Sequence, residues 1–331
     1  MKKSVIVAKN GGDFATVQAA VDFLGESGGK IFVKSGIYRE KLSVLWDGVS
    51  LVGADAMNTV VCYDDFARKM HEDGTEYGTF RSQTVYVAGN NFYAENITFE
   101  NSAGKGADVG QAVAFYGDGD KHSFFGCVFR AHQDTLFMSP HPPKPLIAGA
   151  FDKLPTKNRK NPTAVHRSYF ENCTIQGDVD FIFGGSVSYF HKCTIISNDL
   201  GQETNGYITA AATPQGFAFG YVFNECNLVS DAAENTVYLG RPWRDFAKTV
   251  FVNCYMGKHI KKAGWHDWDK SSQQAFYAEY GSFGLGVPSA ENSERRVKWS
   301  KILSERELHK YTVENVFGGW LPEMIVNGEN C

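Results

Sequence analysis

No stretch of the chain approaches the roughly 18 consecutive apolar residues of a membrane-spanning helix, and no CxxC pair or His/Cys cluster has zinc-ligand spacing. Neither a spanning helix nor a bound metal is therefore expected. Charge of one sign is also scarce. Lys and Arg number 33 against 37 Asp and Glu, a formal net charge of -4 that suggests neither nucleic acid nor a membrane surface as a partner. The opening Met1 to Asn10 has basic residues, but its apolar run is too short for the core of a signal peptide, so no export signal is expected as the chain is written. His132, His166 and His191 stand in no Ser/Asp or metal-ligand pattern, and no role is assigned to them. The cysteine count, seven, is odd. Five of them (Cys127, Cys173, Cys193, Cys226, Cys254) share a local context, which reads as a packing position rather than a disulfide framework.

What is abundant points to short strands. Gly 34 and Phe 25, with frequent Asn and Thr, favour tight turns over long helices, and a hydrophobic fraction of 43% is normal for a globular protein. One amphipathic helix is predicted after the first strand: Val17, Ala20, Val21 and Leu24 fall at helical spacing, with Asp13 or Thr16 as N-cap and Gly25 as a stop. Strands are predicted at 30–34, 50–53, 60–62, 84–88 and 92–99.

A repeat follows. Segments around Phe92-Tyr93-Ala94-Glu95-Asn96-Ile97, Phe124-Phe125-Gly126-Cys127, Tyr169-Phe170-Glu171-Asn172-Cys173, Tyr189-Phe190-His191-Lys192-Cys193, Val222-Phe223-Asn224-Glu225-Cys226 and Phe251-Val252-Asn253-Cys254 lead from aromatic or apolar residues into Cys or Asn. Their anchors are 20 to 46 residues apart, which suits coils of three short strands with loops of variable length. The stacked Cys/Asn positions would form an internal ladder. A β-propeller or sandwich also uses many short strands. Runs apolar on consecutive residues, such as Asp180 to Phe183, and the lack of helical crossovers favour a right-handed parallel β-helix, all-β, in a single domain over 1–331. The N-terminal helix would cap it. Ser304-Glu305-Arg306-Glu307 reads as a capping box opening a short C-terminal helix through Tyr311, packed on the outside. A Pro-rich segment, 139–162, interrupts the repeat and carries Lys144, Lys153, Lys157, Arg159 and Lys160 against Asp152 alone. It reads as a solvated loop, or as a rim offering positive charge to an acidic substrate.

Candidate chemistry lies in two aspartates. Asp134 is seven residues after Cys127 and Asp180 seven after Cys173, so in a solenoid they occupy equivalent places in consecutive coils, about 4.8 Å apart. Two such carboxylates do not ionise together, so one becomes an acid and the other a nucleophile or base. Arg241, in Leu239-Gly240-Arg241-Pro242-Trp243, would keep Asp180 ionised; Gln111 and Gln133 would donate to an oxyanion; Trp243, Phe183 and Phe137 would offer aromatic faces to a sugar ring. On pattern alone, Asp180 and Arg241 read equally as a structural ion pair, the glutamines as partners of turn backbone, and the aromatics as core.

Taken together, Gly36-Ile37-Tyr38-Arg39-Glu40, Gln111-Ala112-Val113-Ala114, Gln133-Asp134-Thr135-Leu136, Asp180-Phe181-Ile182-Phe183-Gly184 and Leu239-Gly240-Arg241-Pro242-Trp243, in that order over roughly Val5 to Pro322, resemble the pectin methylesterases, the pectinesterase family of carbohydrate esterases. The resemblance implies a parallel β-helix and hydrolysis of methyl esters on the C6 carboxyl of galacturonate units in pectin or methylated oligogalacturonides, releasing methanol. It implies Asp180 as nucleophile through an acyl-enzyme, Asp134 as acid then base, Gln111 and Gln133 at the oxyanion, Arg241 bonded to the nucleophile, and Trp243, with Phe183, Phe137 and Thr79, as substrate contacts. No cofactor or metal is implied, and a monomer is expected. Two departures stand out: Phe137 replaces the Tyr frequent in the family, and the 139–162 insertion is longer than the usual turn. Most relatives are secreted, whereas this chain begins at the mature domain; a cytoplasmic form acting on imported oligomers is expected, or a secreted one whose leader was removed. A polygalacturonase-like glycosidase, a pectate-lyase-like enzyme and a non-catalytic pectin-binding solenoid are the rival readings.

Overall fold

Short runs of β-branched and aromatic residues, each ended by a residue that tolerates a left-handed backbone, generate the architecture. In the computed structural model, which describes residues 3–145, 151, 154, 164–269, 274–289 and 295–322, these runs form sheets of 11, 8 and 7 strands. Successive strands of a sheet belong to successive coils and pair in parallel. Examples are Arg167–Glu171 with Val187–His191, Thr174–Gly177 with Thr194–Ser197, and Leu136–Met138 with Val179–Gly184, one from each sheet. The result is the parallel β-helix that the repeat predicts.

Six successive coils, from Tyr93–Glu95 onward, pass from the 11-stranded to the 8-stranded sheet through a residue at positive φ: Asn96 (52°), Gly126 (58°), Asn172 (52°), Lys192 (51°), Glu225 (55°) and Asn253 (52°). Asn and Gly suit this conformation; Lys192 and Glu225 adopt it against their preference because the corner geometry is shared along the stack. Two expectations change as a result. The predicted strand 92–99 is two strands on different sheets, Tyr93–Glu95 and Thr98–Asn101, because Asn96 turns the chain between them. The ladder is also not Cys/Asn: pairing of Glu95 with Phe125 and of Thr98 with Val128 puts Asn96 at the corner and Ile97 in line with the cysteines.

The thiols do more than fill space. Sγ of Cys173, Cys193, Cys226 and Cys254 donates to the carbonyl oxygen of Phe124, Phe170, Phe190 and Phe223 in the preceding coil, at 3.4 to 3.5 Å. The six described cysteines are free and buried, as a small apolar side chain with a weak donor should be. Beside them runs a column of phenylalanines, 124, 170, 190, 223 and 251, with ring centroids 4.4 to 4.7 Å apart and planes within 12°. Identical residues at one register position stack because each coil repeats the backbone of the last.

The helix Val17–Leu24 buries Val17, Ala20, Val21 and Leu24 against the first coils; Thr16 Oγ1 accepts from the Ala19 N–H and Gly25 ends it at φ 52°. Its first turn has a second partner. The Glu40 carboxylate accepts the N–H groups of Val17 and Gln18 at 2.9 Å each, while the Tyr38 hydroxyl donates to the Lys34 carbonyl at 2.7 Å. The 36–40 motif therefore holds the cap onto the solenoid, with an anion at the helix N-terminus. At the other end the Ser304–Glu307 capping box is present, opening Glu305–Leu308 and continuing as the tighter turn His309–Tyr311. A further short helix, Val313–Val316, follows. Val316 and Phe317 cover Tyr169, Tyr189 and Val222 on the outer face of the 11-stranded sheet.

Candidate active site

The 7-stranded sheet carries the site on its outer face. Pairing aligns Tyr86, Tyr116, Phe137, Phe183, Ala210 and Arg241 in one row across six coils. Their neighbours Val85, Phe115, Leu136 and Ile182 point into the core and are fully buried, as the alternation of a strand requires. The row is aromatic at one end and charged at the other. A cleft of about 290 Å³ lies over it, lined by Thr79, Phe80, Gln111, Gln133, Asp134, Pro145, Phe151, Asp180, Phe183, Ala210, Arg241, Trp243 and Trp268.

Both aspartates sit at left-handed corners, Asp134 at φ 66° and Asp180 at φ 52°. Asp is among the few residues that tolerate this backbone. In the strand Val179–Gly184 the register against the next coil slips by one residue between Val179 and Ile182. That bulge re-aims Asp180 out of an otherwise apolar strand and into the cleft. The Asp134 N–H donates to the Val179 carbonyl at 3.1 Å, tying the two corners together.

The carboxylates differ in what surrounds them. Arg241 grips Asp180 with two parallel bonds, Nε to Oδ1 at 2.9 Å and Nη2 to Oδ2 at 2.7 Å, the fork geometry that stabilises the ionised form. Arg241 reaches Asp180 from two coils away, roughly 10 Å at the spacing of stacked strands, over Ala210, whose methyl group leaves the path open. Asp134 has no hydrogen-bond partner for its carboxyl among the described residues. Burial first, then the negative charge of Asp180, holds its pKa well above the usual carboxylate range, against the opposing pull of Arg241; Asp178 adds to the rise. The two carboxyls are thus set apart: the Arg241 fork favours the ionised form of Asp180, while burial and the neighbouring charge favour the protonated form of Asp134.

Arg241 is itself pinned. Its guanidinium lies between the rings of Tyr207 and Trp268, 3.7 and 3.8 Å from their centroids, and Tyr207 stacks in turn on Tyr238 with planes 7° apart. Such a sandwich desolvates the cation and removes its rotamer freedom, so the fork is set before substrate arrives. Neither Tyr207 nor Trp268 is legible as a site residue. Tyr207 looks like one more strand aromatic, and Trp268 comes from a loop with no spacing relation to Asp180.

The other predicted residues divide. Gln111, Gln133, Thr79, Phe183 and Trp243 line the cleft, and among the described residues neither glutamine amide has a hydrogen-bond partner. Phe137 does not line it. Its ring is fully buried beneath Phe80, Phe183 and His141, at centroid distances of 4.9, 4.8 and 4.5 Å, so it supports the floor and offers no face to a sugar. His141 is neutral there, with burial lowering its pKa to about 3. Pro145 and Phe151 bring the 139–162 insertion to the cleft wall, and Arg244 donates to the Lys144 carbonyl at 3.1 Å. Lys153, Lys157, Arg159 and Lys160, expected to offer positive charge, lie outside the described residues.

Gly106 packs against Gln133. A Cβ there would lie 2.5 Å from Gln133 Oε1 and 2.9 Å from its Cβ. Gly106→Ala is accordingly expected to displace the amide; with Gln133 in the oxyanion role expected of it, kcat should fall roughly tenfold to a hundredfold with little change in KM, since such a donor acts mainly in the transition state. Steady-state kinetics on an esterified substrate checks this; unchanged kcat would mean that Gln133 does not act at the oxyanion.

Among the described residues one group has ligand atoms close enough for a metal: His266, Asp267 and Asp269, within 4.8 Å of one another. Two of these side chains, those of His266 and Asp267, are already used to shape the loop. His266 Nδ1 accepts the Trp268 N–H at 2.9 Å and Asp267 Oδ1 accepts the Asp269 N–H at 3.0 Å, which lays Trp268 over Arg241.

A parallel β-helix whose cleft sets an arginine-clamped carboxylate beside an unclamped one and two glutamine amides defines a solenoid with the side chains of a hydrolase site. Comparison with known proteins narrows it. The pectinesterase family model matches residues 4–142 and 162–319, its gap falling in the basic insertion. Pectinesterase 31 of Arabidopsis thaliana is 33% identical over 318 residues, covering 92% of this chain and 89% of that protein. The solved structure of the carrot pectin methylesterase is 29% identical, with a TM-score of 0.78 over 96% of this chain and 94% of that one. A pectin methylesterase solved in complex with a hexasaccharide is 25% identical, with a TM-score of 0.76 over 96% and 97%. The chain belongs to the pectinesterase family. It spans 45% to 59% of the length of several longer curated relatives from Arabidopsis thaliana and Citrus sinensis.

Proposed function

We propose that the protein hydrolyses methyl esters of galacturonate units in pectin or methylated oligogalacturonides, releasing methanol through an acyl-enzyme on Asp180. The observation that carries the reading is the unequal setting of the two aspartates: Asp180 is clamped by Arg241, and Asp134, buried without a cation of its own, keeps its proton. In the first step a carboxylate oxygen of Asp180 attacks the ester carbonyl carbon, and the carbonyl oxygen takes the developing negative charge, accepting hydrogen bonds from Gln111 and Gln133. Collapse expels the methoxy oxygen, which takes the Asp134 proton and leaves as methanol, and an anhydride joins Asp180 to the substrate. Asp134, now ionised, accepts a proton from the incoming water. Its oxygen attacks the substrate acyl carbon, the anhydride C–O bond breaks, and Asp180 returns as a carboxylate. The product acid loses its proton to solvent.

Trp243 and Phe183 supply the apolar face of the cleft for the sugar ring. The test is methanol release from highly methylated pectin with reducing ends measured in parallel. Methanol without new reducing ends supports the esterase. New reducing ends would favour chain cleavage, and neither product would favour a binding solenoid.

A further inference from the structure

Behind the two aspartates lies a third carboxylate that the reaction does not use. Asp178 is only 1% exposed, two residues before Asp180 and in the coil after Asp134. A buried carboxylate is retained only if something holds it. Its Oδ2 lies 2.7 Å from Nδ1 of His132, and its Oδ1 accepts the Val179 N–H at 2.8 Å. The backbone around it is closed by the same two corners. The Asp178 N–H donates to the His132 carbonyl at 3.2 Å, the Asp134 N–H to the Val179 carbonyl at 3.1 Å, and the Tyr207 N–H to the Asp178 carbonyl at 3.0 Å. The His132 carbonyl also accepts the Thr135 hydroxyl at 3.2 Å.

We propose that His132 and Asp178 are a positioning pair for the reaction: His132 clamps the Asp178 carboxylate between the corners that carry Asp134 and Asp180, so that its charge and its backbone contacts act on both. This rests on the ester-hydrolase reading above. Three carboxylates share two adjacent corners, and two have fixed partners, Asp180 with Arg241 and Asp178 with His132. Only Asp134 is left without one, so the proton goes there. The charged groups facing Asp134 are Asp180, Arg241 and Asp178. On the neighbouring strands Arg130 and Glu100 neutralise each other at 2.6 Å. The link is also mechanical. Asp178 fixes Val179, the residue before the bulge that aims Asp180, and His132 is two residues before Asp134, so the pair joins the backbone of both reacting groups. Neither residue need touch substrate.

Two variants separate the electrostatic from the mechanical part. Asp178→Asn keeps shape and an acceptor for Val179 but removes the charge. Its expected effect is a fall of about one pH unit in the Asp134 titration midpoint, read by carboxyl carbon NMR with the resonance assigned through Asp134→Asn. The alkaline limb of kcat/KM for methanol release should fall with it. His132→Ala should lower kcat about tenfold at similar KM, and His132→Gln, which retains a donor, should restore it. An Asp134 midpoint unmoved by Asp178→Asn overturns the proposal, as does equal loss in the Ala and Gln variants, which would mark a purely structural contact. The NMR titration needs no turnover. A wild type that releases no methanol would therefore sink the function while the midpoint shift still decided the coupling.

Discussion

Asp180→Ala is expected to abolish methanol release, by on the order of 10⁴-fold or more in kcat, the scale of losing a nucleophile from a site whose parts act together. The substitution removes the attacking oxygen and leaves Arg241 without its anion. The guanidinium has partners that survive the change, because Tyr207 and Trp268 still enclose it at 3.7 and 3.8 Å. The fold should therefore persist, with circular dichroism unchanged. Asp180→Asn is the companion variant: it keeps the shape and offers Arg241 an acceptor, yet lacks a nucleophilic carboxylate. Both should be inactive in a methanol assay, and full activity in either would remove Asp180 from the mechanism.

Asp134→Asn is expected to lower kcat about 10³-fold, within the range of lost general acid and base catalysis, and to raise stability at neutral pH. The sign follows from the folded-state pKa, which burial and Asp180 raise. A carboxyl raised in this way contributes stability that is fully present below its unfolded pKa, about 3.9, and is lost as pH rises through the folded pKa. The wild type thus becomes less stable over a window that begins near pH 4 and runs upward, and the amide variant does not. Thermal unfolding at pH 4 and pH 8 should show the variant's advantage growing with pH. A variant less stable than wild type at both would mean that Asp134 is held by something other than its proton.

The solenoid was legible because coils that stack must repeat their inward residues, and the cysteine positions kept their neighbours at irregular spacing. Asp134 and Asp180 could be paired from the same register. Arg241 could be linked to Asp180 by motif, but the reason the link is rigid was not in any local pattern: Tyr207 and Trp268 meet it from another coil and from a loop. Phe137 was misplaced for a related reason. Its row position is outward, as for Phe183, yet Phe80 and His141 cover it, and their approach depends on loops rather than on strand alternation. Asn96 and Ile97 were exchanged because a left-handed corner and a ladder position are adjacent, and in that coil the ladder position holds Ile97 where the later coils hold cysteine. His132 was set aside for lack of a local partner; Asp178 is 46 residues away and becomes its neighbour only when the coils stack.

The central step of the proposed reaction is a covalent bond between Asp180 and the substrate acyl group. Running turnover of a methylated oligogalacturonide in hydroxylamine, then digesting the enzyme and reading the peptide that contains Asp180 by mass spectrometry, tests it most directly. A hydroxamate is expected on Asp180, requiring substrate and absent from Asp180→Asn. Methanol release that continues undiminished in hydroxylamine while Asp180 stays unmodified, with product hydroxamate also absent, would contradict it and leave direct attack by water as the chemistry of the site.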